Sequence, residues 1–240
     1  MMTAERDATE GEDRNATSAR TPAVMPYFTV IIELSSNSCD VSRRLRNIRK
    51  QTFRDAELLL LDDGTAGDLA DIVSEELSAV RILDVARSTS AAEALNLAVA
   101  DARGNHLVFL QQGDLWHPRY LEYQNGALEA VPDALFSLSG CYMQSAEELP
   151  IMMADARVNE LRTDLVLALS TACFETRSCF AVSRRLFIRS GGLEDWAEGF
   201  LNVALGLRLL IGSNEDGRMA WEEHPIPKIP HILTLTTTHS

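Results

Sequence analysis

The amino-acid sequence predicts an α/β fold, with a mostly parallel sheet and flanking helices in a single domain. Three observations point there. Short apolar runs alternate with amphipathic helical patterns from residue 27 to residue 130, as in strand–helix–strand units joined by short right-handed crossovers. The runs are apolar at successive positions, as strands covered on both faces are. Several then stop at polar residues, so Asp62, Asp63 and the segment 111–114 fall at carboxyl ends of strands, where parallel sheets gather ligands.

The run YFTVIIEL (27–34) is β-branched and apolar and forms the first strand. Asp40 stands where it can cap a helix whose Val41, Leu45 and Ile48 recur at i, i+4 and i+7. That helix also carries Arg43, Arg44, Arg46, Arg49 and Lys50. The first reading of this basic face is solvation, the second a contact with an anionic lipid or a diphosphate. A second strand, 57–61, halts at Asp62-Asp63-Gly64, and Leu69, Ile72, Val73 and Leu77 mark a second helix. A third strand (80–85), a third helix (91–102) and a fourth strand (107–110) follow.

The second half is less regular. A helix runs from Pro118 to about residue 130, and the stretches 135–143 and 178–183 read as strands. A short helix to Ser190 precedes the Gly191-Gly192 turn, and LNVALGLRLL (201–210) reads as an apolar helix. Residues 147–171 are mixed in pattern. Residues 1–25 are polar, lack the apolar core of a signal peptide, and read as a disordered tail. The domain is expected over 26–212, with 213–240 as a C-terminal extension packing on it.

Composition narrows the partners. A formal net charge of −13 argues against nucleic acid, which needs clustered Lys and Arg. The four cysteines, Cys39, Cys141, Cys173 and Cys179, form no CxxC pair, so buried thiols in a reducing compartment are expected. No apolar run reaches the roughly 18 residues of a membrane helix. The expected location is the cytoplasm, with peripheral membrane association open through the basic helix. The five histidines show no ligand spacing, and Trp116 and Trp196 read as core or cleft-wall residues.

Four stretches, in order, resemble the family 2 glycosyltransferases of the GT-A fold. QTFRDAELLLLDDGT is similar to the family's QTY-x-D-x-E-strand-DDGS, and AEALNLAVADARGNHLVFL to its A-x-N-x-G-x-x-x-A-x-G-x-Y-strand. GDLWHPRYLEYQ resembles D-D-x-W-x-P-x-x-L-E-x-Q, and SCFAVSRRLFIRSGGLED the acceptor-side strand followed by R-R-x-x-F and GGFDE. The likeness covers 26–210, and several elements in the right order are far more specific than one. A sugar nucleotidyltransferase would need a Gly-rich phosphate loop after the first strand, where this chain has ELSSNS.

The resemblance implies a nucleotide-diphosphate-sugar donor and a glycan, lipid-linked or protein acceptor, with transfer by inversion. It implies nucleotide-sugar contacts at Asp62, Asp63, Gly64, Asn96, Arg103, Gln111 and Gln112. Asp62-Asp63-Gly64 also suits a plain turn, and Asn96 and Arg103 also suit cap or surface roles. The family's Asp-x-Asp holds Mn or Mg against the diphosphate. Here Gln111 and Gly113 occupy its two positions, and only Asp114, one step beyond, keeps a carboxylate. That leaves Asp114 as a metal contact or as the cap of the next helix. In the preferred register Asn202 fills the position of the general base, and an amide cannot accept a proton at neutral pH. The other register gives that role to Asp195 in Glu194-Asp195-Trp196. Glu33-Leu34-Ser35-Ser36 replaces Pro-Thr-Tyr-Asn after the first strand and removes a ring that stacks on the base. Two readings follow, a transferase with an altered site and a GT-A scaffold that binds without turnover.

Overall fold

The computed structural model describes residues 25–33, 36–65, 67, 69–76, 79–131, 134, 136–144, 150–154, 176–195, 201–202, 204–205 and 228–237. The expected N-terminal tail, most of 147–171, Trp196 and residues 206–210 lie outside them. The parallel half of the sheet comprises β1 (Phe28–Ile32), β2 (Ala56–Asp62), β3 (Val80–Asp84) and β4 (His106–Leu110). The remaining strands are β5 (Leu115–Trp116), β6 (Phe136–Gln144), β7 (Pro150–Ala154), β8 (Phe180–Ser183) and β9 (Lys228–Thr237). The order is β3-β2-β1-β4-β8-β6-β9-β5, with β7 added on β6. β1, β2, β3 and β4 pair in parallel, as expected, whereas β8 runs antiparallel to both β4 and β6. The sheet is therefore mixed.

The C-terminal stretch also differs from expectation. Residues of β9, expected as an extension packed on the domain, form a strand inside its sheet, parallel to β6 and antiparallel to β5. The alternating Thr and apolar residues of 232–237 suit a strand with neighbours on both sides.

Strand periodicity sorts the apolar residues into two layers. Ile31, Leu59, Leu107 and Phe109 face α3 (Ala91–Asp101) and α5 (Arg184–Arg189), packing against Leu95, Val99 and Phe187. Val30, Ile32, Leu60, Val108 and Leu110 face α1 (Ser38–Arg49), α2 (Leu69–Glu76) and α4 (Tyr120–Ala130), whose Leu45, Val73 and Leu121 complete that layer. Helix α4 starts at Tyr120, two residues after Pro118.

Two details of α1 correct the sequence reading. Asn37, not Asp40, caps it, accepting from the Cys39 N–H at 2.9 Å. Asp40 lies in the first turn and pairs with Arg44 one turn on, at 2.9 Å. Arg44, grouped with a solvated face, is fully buried and donates to the carbonyls of Glu33 and Leu110. It ties α1 to the carboxyl ends of β1 and β4.

At the opposite, amino ends of the strands the chain passes unusually close. A Cβ on Gly104 would stand 2.4 Å from the Thr29 nitrogen and 2.5 Å from the Phe28 carbonyl carbon, both backbone. Gly104→Ala must push β1 and β4 apart, and the expected loss is about 2–4 kcal/mol, seen as a lower denaturant midpoint with an unchanged slope.

Candidate functional site

Registers place the site. Ile32 pairs with Leu60 on one side and Leu110 on the other, so Glu33, Asp62 and Gln111 emerge together past the ends of three strands. Glu33 and Gln111 border a cavity of about 320 Å³, lined also by Leu61, Ala91, Ala94, Leu95 and Gln112, and Asp62 directly follows Leu61. Its wall from α3 is apolar, while its strand-end wall is polar. A second cavity of about 230 Å³ lies along α1, lined by Asn37, Cys39, Asp40 and Arg43, and shares Gln112 with the first.

In the segment 111–114, oxygens of Gln111, Gly113 and Asp114 are engaged within the protein. The Gln111 side-chain oxygen Oε1 accepts from the Arg177 backbone N–H at 2.6 Å and stands 2.7 Å from the Thr176 hydroxyl. Gly113 adopts φ +85°, a left-handed conformation that favours glycine, and its carbonyl accepts from Arg43 at 3.0 Å. Asp114 is 2% exposed, with Oδ2 at 2.5 Å from the same Thr176 hydroxyl. The cap role fails on the same geometry, since no side chain caps α4. Among the described residues no three His, Cys, Asp or Glu side chains gather where a metal ion could sit. This donor set does not fit a divalent ion.

What holds the site is the short 3₁₀ turn Arg177–Cys179, entered from Thr176. The Arg177 guanidinium donates to both oxygens of Glu33, at 2.9 and 2.6 Å, and to the Asn202 side-chain oxygen at 2.5 Å. Both partners of the ion pair are nearly buried, with side chains 5% and 12% exposed. Sequence reasoning missed Arg177 because nothing around a lone arginine before a strand marks it. The only available signal was indirect, three altered family positions with no stated partner.

The other expected site residues separate into groups. Asp62 and Asp63 fold their own loop, accepting from the backbone N–H groups of Gly64 at 2.7 Å and Thr65 at 3.0 Å, and Gly64 takes φ +72°. Arg87, also missed, donates to the carbonyls of Asp63 and Gly64 and fixes that loop from the end of β3. Asn96 donates to the Leu193 carbonyl and accepts from the Leu193 N–H, at 2.8 and 2.9 Å, which latches α3 to the Gly191-Gly192 turn. Arg103 is not brought to the site. Its backbone N–H bonds Glu57 between α3 and β4, at the amino ends of the strands. Asp195 accepts from Ser90 at 2.5 Å, and Ser90 caps α3 one residue before the cavity-lining Ala91. Asn202 reaches the site through Arg177.

The Thr176 hydroxyl has one proton for two acceptors, Gln111 and Asp114. Burial pushes the Asp114 carboxyl up to about 6, against the hydrogen bond it accepts from Thr176, which favours the charged form. This group therefore stabilises the fold fully below pH ~4, its unfolded value, and that contribution is lost as pH rises through about 6. The expected loss is about 2–3 kcal/mol. Asp114→Asn should flatten the pH dependence of stability between pH 4 and 7, and an unchanged slope in chemical denaturation contradicts this assignment.

Comparison with known proteins gives one family. A model of the family described as glycosyltransferase like family 2 matches residues 29–204. Over 98 residues the chain is 24% identical to glycosyltransferase GlyG of Streptococcus pneumoniae serotype 4, covering 40% of this chain and 33% of that one. Over 103 residues it is 23% identical to a glycosyltransferase of Haemophilus influenzae, covering 42% and 41%. The match thus spans well under half the length of these relatives. Among solved structures, S. aureus TarS 1–349 in complex with UDP superposes with a TM-score of 0.66 at 13% identity, over 88% of this chain and 60% of that one. Mannosyltransferase PcManGT from Pyrobaculum calidifontis, in complex with GDP-Man and Mn²⁺, gives 0.62 at 18% identity, over 90% and 58%. At these identities the likeness is one of fold, the GT-A arrangement.

Proposed function

The chain belongs to the glycosyltransferase-like family 2, and from that premise we propose that it transfers a sugar from a nucleotide-diphosphate donor to an acceptor hydroxyl with inversion. The observation that supports this reading best is the convergence of Glu33, Leu61 and Gln111 around one cavity at the carboxyl ends of three parallel strands. Asp62 and Asp63, on a loop fixed by Arg87, supply polar partners for the nucleobase. The apolar wall of Leu61, Ala94 and Leu95 excludes water beside it. Gln112, which borders both cavities, is placed to meet the sugar and its diphosphate together.

In the reaction the acceptor oxygen attacks the anomeric carbon, the bond to the diphosphate breaks, and the acceptor proton passes to a carboxylate. Asn202 cannot take that proton and is occupied by Arg177. Asp195, oriented by Ser90 at the start of α3, is the carboxylate proposed for it. The structures in complex with UDP and with GDP-Man and Mn²⁺ name two donor classes to test. A divalent ion, implied by the resemblance, finds no cluster of three His, Cys, Asp or Glu ligands among the described residues and takes no part in the steps above. The acceptor is a glycan, a lipid-linked sugar or a protein. Among the described residues no helix is long and apolar enough to cross a membrane.

UDP or GDP at ten times its dissociation constant should raise the melting temperature by about 3 °C. Asp62→Asn/Asp63→Asn should reduce that shift, and Asp195→Asn should abolish release of nucleoside diphosphate from the matching sugar donor while keeping the shift. No shift with either nucleotide contradicts the donor reading, and full turnover by Asp195→Asn contradicts the base assignment.

A further inference from the structure

At one of the two positions where the family resemblance places a metal carboxylate the chain brings a guanidinium, and at the other a backbone N–H. The Gln111 oxygen is taken by the Arg177 backbone N–H, and the Gly113 carbonyl by the Arg43 guanidinium. The carboxylates around them are already matched. Glu33 is gripped by Arg177, and Asp40 sits 3.1 Å from Arg43 and 2.9 Å from the buried Arg44. A site with two unpaired carboxylates draws a dication, because two anions and a diphosphate otherwise repel. Here Glu33 and Asp40 already have arginine partners, and an incoming diphosphate meets the Arg43 guanidinium in the wall of the second cavity.

We infer that Arg43 takes the place of the divalent ion in this chain, holding the donor diphosphate through its guanidinium at the cavity it lines with Gln112, so that donor binding needs no metal. The inference rests on the donor reading given above. Its chemistry is ordinary. A planar guanidinium matches phosphate oxygens two at a time and stays charged at every physiological pH. Arg177 is 4% exposed, lines neither cavity and spends its guanidinium on Glu33 and Asn202. It therefore acts on the site by fixing Glu33 in the wall of the first cavity. Arg43, with a side chain 45% exposed, stands at the mouth of the second cavity beside Gln112. The diphosphate leaving group carries its developing charge onto groups already oriented, as preorganised catalysis requires.

Calorimetric titration of the intact chain with UDP and UMP, and with GDP and GMP, separates the possibilities when run in EDTA and in Mn²⁺. The expected result is a diphosphate dissociation constant that changes less than about threefold between the two conditions. Arg43→Gln, on an exposed side chain, should weaken diphosphate binding by about tenfold, the size of one lost charge-assisted bond, while monophosphate binding changes less than about threefold. A Mn²⁺-dependent gain above about tenfold overturns the inference and leaves the donor reading standing. Equal losses for mono- and diphosphate in Arg43→Gln also overturn it. No binding in either condition overturns the donor reading and the inference together.

Discussion

The Arg177 guanidinium donates to both oxygens of Glu33 and to Asn202, while its backbone N–H reaches the side chain of Gln111. This one residue joins the end of β1, the end of β4 and Asn202. The turn that carries it is held from below. The Ser178 carbonyl accepts from the Trp116 indole at 2.8 Å and from Thr234 of β9 at 3.0 Å, and the Cys179 carbonyl accepts from Gln124 and Ser139. Trp116 is itself stacked on Tyr120 with ring centroids 4.2 Å apart. The C-terminal strand is thus part of the support of the site, which explains why it runs inside the sheet. Removing one member of a nearly buried ion pair leaves the other uncompensated, at a typical cost of about 3–5 kcal/mol.

The same contacts explain how three departures from the family pattern come to coexist. A carboxylate at 111 would place negative charge beside Asp114, which is buried, and near Glu33. The amide avoids that repulsion and accepts the Arg177 N–H. A carboxylate at 202 would compete with Glu33 for the same guanidinium, whereas the Asn202 amide oxygen completes the shell without adding charge. Glycine at 113 is set by its positive φ and by the Arg43 bond to its carbonyl. Glu33, Gln111 and Asn202 read as separate losses along the chain. In three dimensions they are the shell of one cation.

The parallel half of the fold was legible because its signals are local. Apolar strands, helical spacing and polar stops lie within a few residues of one another, and Leu59, Ile31 and Val99 fall into layers by periodicity alone. Asp40 and Arg44 at i and i+4 also spelled out a pair, yet composition suggested solvent for the arginine. Burial of Arg44 depends on two strand-end carbonyls that no local pattern reveals. Arg177 was illegible for the same reason, since Glu33 lies 144 residues away in sequence. Arg103 shows the converse. It matches a family pattern in sequence, but that pattern belongs to the close approach at Gly104, at the amino ends of the strands and away from the cleft. Asn96 fits the pattern and serves the Gly191-Gly192 turn, where a Cβ on Gly192 would strike its amide oxygen at 2.5 Å.

The account stands or falls on the coupling between Glu33 and Arg177. A double-mutant cycle with Glu33→Gln and Arg177→Gln, read by chemical denaturation at neutral pH, measures it directly. Each single change should cost more than the pair's joint removal implies, with an interaction energy of at least about 1.5 kcal/mol. Effects that add to within about 0.5 kcal/mol would mean that the two side chains do not depend on each other, and that no fixed cation stands at the strand ends.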